Sequence, residues 1–223
     1  MSAHPNDLTA SLKYERQFQA RGYQLIGGID EAGRGPWAGP LVAAIVVLPL
    51  DNLILSQVLQ GVRDSKQMSQ LQRHHAAERI KNVALSYGYG VLQASELNSL
   101  HDMTRATYEA YRRAYQAVAR DLGRDLDALL IDYFVWSACP VPYQAITHGD
   151  QHSLSIASAS VLAKVWRDET MLELDAQYPD YGFAQHKGYG TAKHRAALEK
   201  YGICDQHRTH YKPIQAIINR RLL

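Results

Sequence analysis

Gly27-Gly28-Ile29-Asp30-Glu31-Ala32-Gly33-Arg34-Gly35-Pro36 is the stretch from which the rest of this chain is read. An apolar lead-in makes residues 23–30 a strand that ends in two adjacent carboxylates. A glycine-rich turn carrying one arginine follows at once. Neighbouring carboxylates repel, and a partly buried turn tolerates them mainly when a cation neutralises them. Glycines let a backbone approach another molecule closely, and arginine supplies a charge suited to phosphate. Together these features point to a divalent metal beside a phosphodiester. An isolated Asp-Glu pair is more often a solvated polar turn; here the surrounding residues reverse that preference.

Outward from this stretch, residues 41–48 are rich in valine and isoleucine and read as a second strand, buried on both faces. Gly33, Gly35, Pro36, Gly39 and Pro40 punctuate the loop between the two. Further strands are expected over residues 86–92, 127–132 and 143–147. Helices are expected over residues 7–20, 69–85, 95–100, 104–122, 153–178, 191–201 and 213–221, with Ser69 and Thr191 as caps. Leu8, Leu12 and Tyr14 give the first helix its apolar side. Tyr108, Tyr111, Ala114, Tyr115 and Val118 recur at helical spacing and read as a core face. Residues 179–190 read as a glycine- and tyrosine-rich loop. Strands alternating with helices imply an α/β domain with a central mixed sheet. With no linker, composition shift or internal repeat, residues 1–223 read as one domain.

The composition agrees with a globular protein: 46% of the 223 residues are hydrophobic. Net charge is only +2, so any nucleic-acid surface must come from local patches. Cys139 and Cys204 offer no disulfide framework, which fits a reducing compartment. Residues 1–15 are polar and read as no signal peptide. The longest apolar run, residues 41–50, is too short to span a bilayer. The expectation is a cytoplasmic protein with no membrane segment.

Two more acids stand where strands end. Asp132 closes Asp127-Ala128-Leu129-Leu130-Ile131-Asp132, and Asp150 follows in His148-Gly149-Asp150, ahead of the small-residue run from Ser153 to Ser160. Four acids from separate loops repel too strongly to share a site unless metal lies between them. Oxygen-only ligands favour Mg²⁺ or Mn²⁺ over zinc. Two such ions roughly 3.5–4 Å apart activate water and stabilise a leaving oxygen in phosphodiester cleavage.

The run from Gly28 to Pro40 resembles the signature of bacterial ribonuclease HII, and the resemblance continues along nearly the whole chain. It implies a ribonuclease H-like fold whose helical C-terminal part, residues 179–223, binds substrate. The family's Asp-Glu pair matches Asp30 and Glu31, its strand-end aspartate Asp132, and its fourth acid Asp150. The implied cofactors are two divalent ions, Mn²⁺ or Mg²⁺. One departure stands out: Tyr133 follows the strand-end aspartate where the family often has glycine or another small residue.

Gly33-Arg34-Gly35 matches a family motif whose backbone, by resemblance, lines the minor groove around the 2′-hydroxyl at an RNA–DNA junction. That hydroxyl is what distinguishes RNA from DNA at one nucleotide. Lys187-Gly188-Tyr189-Gly190-Thr191 matches a second motif, in which Tyr189 is expected to stack on the sugar after the ribonucleotide. Arg63-Asp64-Ser65-Lys66 resembles an Asp-Ser-Lys step; Lys66 would meet a phosphate, with Asp64 a structural partner. Ser160 and Lys164 resemble positions of a small-residue helix start, which both packs closely and offers free N–H groups. Asp168 reads as a salt-bridge residue. His207-Arg208-Thr209-His210-Tyr211 resembles a His-Arg-x-Ser-Phe segment with its last two residues replaced, and Cys204, His207 and His210 form no complete zinc set. Ile214, Ile217, Ile218 and Leu222 are expected to pack on the domain's own core.

The activity the resemblance implies is metal-dependent cleavage of the RNA strand of RNA–DNA hybrids and of single ribonucleotides embedded in duplex DNA. Cutting would fall 5′ of the ribonucleotide and leave 3′-hydroxyl and 5′-phosphate ends. The implied partners are those two nucleic acids, and the implied state is a monomer. Two alternatives remain at this stage. One is the sibling ribonuclease HIII, which usually carries an extra N-terminal domain and tends to diverge from Gly-Arg-Gly. The other is a catalytically dead nucleic-acid-binding module, which a missing acid would favour.

Overall fold

The computed structural model describes residues 9–222, with side chains described as far as residue 220. Residues 1–8, Leu8 among them, lie outside the described residues, as does the Leu222 side chain. Five strands form one sheet: β1 (Ile26–Ala32), β2 (Leu41–Val47), β3 (Ser86–Leu92), β4 (Ala128–Asp132) and β5 (Tyr143–Ile146). Their order is β3-β2-β1-β4-β5. β1 pairs antiparallel with β2, and β2 with β3. β4 runs parallel to β1, and β5 to β4. The sheet is therefore mixed, as the alternating pattern implies. Its all-apolar second strand, Leu-Val-Ala-Ala-Ile-Val-Val, is buried at every residue.

The helices are α1 (Lys13–Gln19), α2 (Leu55–Val58), α3 (Gln70–Val83), α4 (Ala94–Leu100), α5 (Met103–Leu122), α6 (Gly149–His152), α7 (Leu154–Gln177), α8 (Phe183–His186), α9 (Ala192–Tyr201) and α10 (Lys212–Leu222). Among the described residues no helix is long and apolar enough to cross a membrane. α7 packs against β1 and β2 on one face of the sheet, and α5 against β3 and β2 on the other. The small residues at the start of α7 let it lie directly on β1. A Cβ on Gly28 would stand 2.2 Å from the Ser155 carbonyl carbon, so only glycine fits there. A third apolar cluster joins Ala38 and the later turns of α7 to α8, α9 and α10. Ile214 and Ile217 are buried in it and Ile218 packs against it, as expected of these side chains.

Three local readings change. The first helix starts later than expected, at Lys13, and its N-cap residue Leu12 makes no side-chain cap. The expected 153–178 helix is α7, capped by Ser153, which accepts the Ile156 N–H at 3.2 Å; a separate one-turn helix, α6, precedes it and carries Asp150, which is expected on a loop from the sequence. The 179–190 loop contains α8. Asp30 and Glu31 close β1 as expected, paired with Ala44 and Ala43 of β2, and the strand runs one residue further, to Ala32.

Candidate active site

Side chains alternate across a strand, so Asp30 and Glu31 leave β1 on opposite faces. Asp30 shares the α7 face with Gly28 and has Ser160 of α7 as a hydrogen-bond partner. Glu31 faces α5 and accepts a short hydrogen bond from the Tyr111 hydroxyl. The adjacent parallel strand β4 ends at Asp132, whose Oδ1 accepts the Gly149 N–H at 2.6 Å. That contact anchors the start of α6 and brings Asp150 in beside Asp132. Asp30, Asp132 and Asp150 each present an oxygen within 4.8 Å of the others; Glu31 is not one of the three.

The electrostatics of this cluster follow from its burial. Asp30 is 7% exposed, and burial, then Glu31 and Asp132, hold its carboxyl well above the ordinary range. Burial likewise raises Asp132. Asp150 is pushed up to about 6 by burial, then by Asp132 and Asp64. The ammonium of Lys66 is stabilised: burial opposes its charge, but Asp30, Asp64, Asp150 and Asp132 outweigh it. Crowded carboxylates that would each rather be protonated are the donor set a hard divalent cation requires.

Tyr133 holds the sharp turn that follows Asp132. Its φ of 53° is left-handed, a strained position for a bulky side chain. Its N–H donates to the Ile146 carbonyl at 2.9 Å, and Phe134 N–H donates to the Asp132 carbonyl. The ring points to solvent at 72% exposure, so Asp132 keeps its place on the sheet.

A single cleft gathers most of the residues singled out in the sequence. Asp30, Glu31, Gly33, Arg34, Gly35 and Lys66 line it from one part of the fold, and Ser160, Lys164 and Tyr189 from the other. Ser65 and Ser160 hydroxyls meet at 3.0 Å across its floor. Lys164 pairs with Asp168 at 2.7 Å, and Arg73 approaches the same carboxylate at 3.4 Å, so Asp168 is a salt-bridge residue as expected. Asp64 accepts the Lys66 N–H at 2.9 Å, the structural role expected of it.

Two buried arginines hold the cleft's glycine loop, and the sequence reading missed that function. Arg167 donates to the carbonyls of Pro40 at 3.0 Å, Ala38 at 3.2 Å and Lys187 at 3.1 Å. Its guanidinium lies against Gly33, whose φ of 103° requires glycine. Arg208 donates to Gly39, Pro40 and Arg34 carbonyls, and the Tyr211 hydroxyl joins it on Arg34. The altered 207–211 segment is thus a clamp on the Arg34–Pro40 backbone. No local signal marks either arginine, because the Ala38–Pro40 and Arg34 carbonyls they serve lie more than 125 residues away in the chain.

Tyr189 is held by its backbone. Its carbonyl meets His194 Nδ1 at 3.0 Å, and His194 Nε2 meets His207 Nε2 at 3.0 Å. Burial holds both imidazoles down at about 4, so they are neutral at pH 7. His207 Nδ1 accepts the Cys204 N–H at 2.9 Å. These rings are committed to hydrogen bonds; among the described residues the aspartate trio is the one group of three or more converging metal-ligand side chains.

The family model described as "Ribonuclease HII" matches residues 27–214. A ribonuclease HII of Syntrophotalea carbinolica is 44% identical over 213 residues, covering 95% of this chain and 96% of that one. The ribonuclease H2 of Pyrococcus horikoshii OT3 superposes with a TM-score of 0.75 at 23% identity, covering 87% of this chain and 97% of that one. A ribonuclease HIII, Bst-RNase HIII in complex with Mn²⁺, superposes with a TM-score of 0.69 at 17% identity, over 98% of this chain and 73% of that one. Mixed sheet, acid cluster and glycine loop therefore have one common explanation: the chain belongs to the ribonuclease HII family and is a type 2 ribonuclease H.

Proposed function

We propose that this chain cuts the RNA strand of RNA–DNA hybrids and single ribonucleotides embedded in duplex DNA, on the 5′ side of the ribonucleotide, leaving 3′-hydroxyl and 5′-phosphate ends. The observation that carries this reading is the shared cleft. The Gly33-Arg34-Gly35 backbone and Tyr189, suited to a sugar and its 2′-hydroxyl, line the same space as Asp30 and Glu31.

Asp30, Glu31, Asp132 and Asp150 are the residues that would hold two divalent ions, Mn²⁺ or Mg²⁺. The buried, mutually repelling donor set fits such ions, and Mn²⁺ is named for the ribonuclease HIII neighbour. Bound there, the ions supply an activated water and charge stabilisation of the leaving oxygen. The protein's own share is placement. Lys66 and Lys164 bring positive charge to a phosphate, and Ser160 packs the start of α7 against Asp30. Residues 179–223, which carry Tyr189, form the helical part that would hold the duplex. Free Cys139 and Cys204 support a cytoplasmic setting, and the reading is of a monomer.

The dead-module alternative lacks support, since none of the four acids is missing from the sequence. The test is a duplex carrying one ribonucleotide, incubated with Mn²⁺, Mg²⁺ or EDTA. Metal-dependent nicking on the 5′ side of the ribonucleotide is expected, with none in an all-DNA duplex. Metal-independent cutting, or no cutting at all, overturns the reading.

A further inference from the structure

Glu31 is the one acid of the four whose carboxylate is gripped from the far side of the sheet. Strand alternation points it at α5, where Tyr111 stands. The Tyr111 side chain is fully buried, and its hydroxyl donates to Glu31 Oε2. A buried tyrosine hydroxyl needs a partner, and this one has a carboxylate. Burial first, then Glu31 and Asp30, hold the Tyr111 phenol well above its ordinary value, so it stays a donor. The ring is fixed edge-on against Phe134 at 5.9 Å and Trp136 at 5.7 Å between centroids.

The second oxygen of Glu31 has a different neighbour. Arg34 Nη1 stands 3.6 Å from Oε1, and the Arg34 guanidinium lies 5.0 Å from the centroid of the same Phe134 ring. Tyr111, Phe134 and Arg34 thus form a continuous frame around one carboxylate. Glu31 lines the cleft, yet stands outside the trio formed by Asp30, Asp132 and Asp150.

We propose that Tyr111 is a positioning residue for the metal-dependent reaction: its hydroxyl fixes Glu31 through Oε2, apart from the aspartate trio, so that Oε1 is the oxygen turned to the cleft and to a divalent ion there. This rests on the reading of the four acids as metal ligands. Tyr111 touches neither solvent nor cleft, so it acts only through Glu31. A group that orients a ligand carboxylate through its other oxygen sets how much of the ion's binding is prearranged.

The experiment is Mn²⁺ titration calorimetry on the full chain, comparing wild type with Tyr111→Phe, Glu31→Gln, the double variant and Asp30→Asn. Phenylalanine keeps the ring contacts and removes only the hydroxyl, and circular dichroism checks the fold. Tyr111→Phe is expected to weaken the Glu31-dependent binding about tenfold, in line with the effect of ligand-orienting partners. Glu31→Gln is expected to weaken it at least as much, and the double variant no further. A loss of stability alone leaves metal affinity of the folded protein unmoved. Wild-type affinity in Tyr111→Phe overturns the proposal, and so does an equal additional loss on top of Glu31→Gln. Wild-type Mn²⁺ binding in Asp30→Asn overturns the underlying metal-site reading instead.

Discussion

Arg208 grips the Gly39 carbonyl twice, through Nε at 3.0 Å and Nη2 at 2.8 Å. Nη2 also reaches the Pro40 carbonyl at 3.0 Å and Nη1 the Arg34 carbonyl at 3.2 Å, all with the side chain 0% exposed. A lysine keeps the charge but not the planar fork. Arg208→Lys therefore strands the Gly39 carbonyl, while Arg167 still serves Pro40 and the Tyr211 hydroxyl still serves Arg34, at about 1–3 kcal/mol of stability. Urea unfolding measures the loss. The loop that carries Gly33-Arg34-Gly35 loosens as well, so KM for a ribonucleotide-containing duplex is expected to rise. Wild-type stability in this variant would show that the clamp is dispensable.

Neutralising the acids separates chemistry from folding. Asp30→Asn, Glu31→Gln and Asp132→Asn are each expected to abolish or severely reduce cleavage. Burial and mutual repulsion already disfavour these charges, so metal-free thermal stability should hold or rise. Asp150→Asn is expected to lower turnover more than substrate affinity. Near-normal cleavage in Mg²⁺ by any of the first three rejects the site assignment. A loss confined to duplex affinity in Asp150→Asn would make that residue a binding element.

The pH dependence has a definite sign. Asp150 is raised from 3.8 to about 6, chiefly by burial. A folded-state value above the unfolded one means that the unfolded chain releases its proton first. Asp150 therefore contributes stability below about 4, and that contribution is lost as pH climbs through 6. A divalent ion needs the ionised form, so it takes over the stabilisation as the proton leaves. The Mn²⁺-induced rise in melting temperature should be small near pH 5 and large near pH 7.5, with Asp150→Asn flattening the difference. An equal rise at both pH values contradicts the assignment.

How far the sequence reached depends on the distance over which each feature is determined. The five strands were legible because apolar runs such as residues 41–48 carry their own pattern. The acids were legible because Asp30 and Glu31 sit in an unusual local context. Whether adjacent acids share a space was not, since that depends on which face of β1 each takes. Tyr111 read as one of several core tyrosines on an apolar helix face, and only the packing of α5 on the sheet face that Glu31 takes gives its hydroxyl a carboxylate. Arg208 sits in a segment whose altered last residues obscured its role, and its partners come from the other end of the chain. The start of the long helix at Ser153 was legible from its cap and small-residue run, whereas the single turn Gly149 to His152 before it is too short to carry a periodic signal.

Tyr189 offers the sharpest test of how the cleft finds a single ribonucleotide. Its ring is 46% exposed and lies against Gly35, where a Cβ would come 3.8 Å from the ring edge. Its backbone is pinned on both sides, by the His186 carbonyl at 2.9 Å and by His194 at 3.0 Å. The loop therefore keeps its place when the ring is removed, and Tyr189→Ala deletes a stacking surface without moving its support. Stacking of this kind is worth on the order of 1–3 kcal/mol, or roughly tenfold to a hundredfold in rate. A long hybrid offers many registers and many 2′-hydroxyls, so a misplaced junction is readily replaced by another. A lone ribonucleotide has one. Tyr189→Ala should therefore lose far more of kcat/KM on a duplex with one ribonucleotide than on a long RNA–DNA hybrid, while Tyr189→Phe stays near wild type on both. Equal losses on the two substrates would mean that the ring merely packs its own loop against Gly35 and reads no junction.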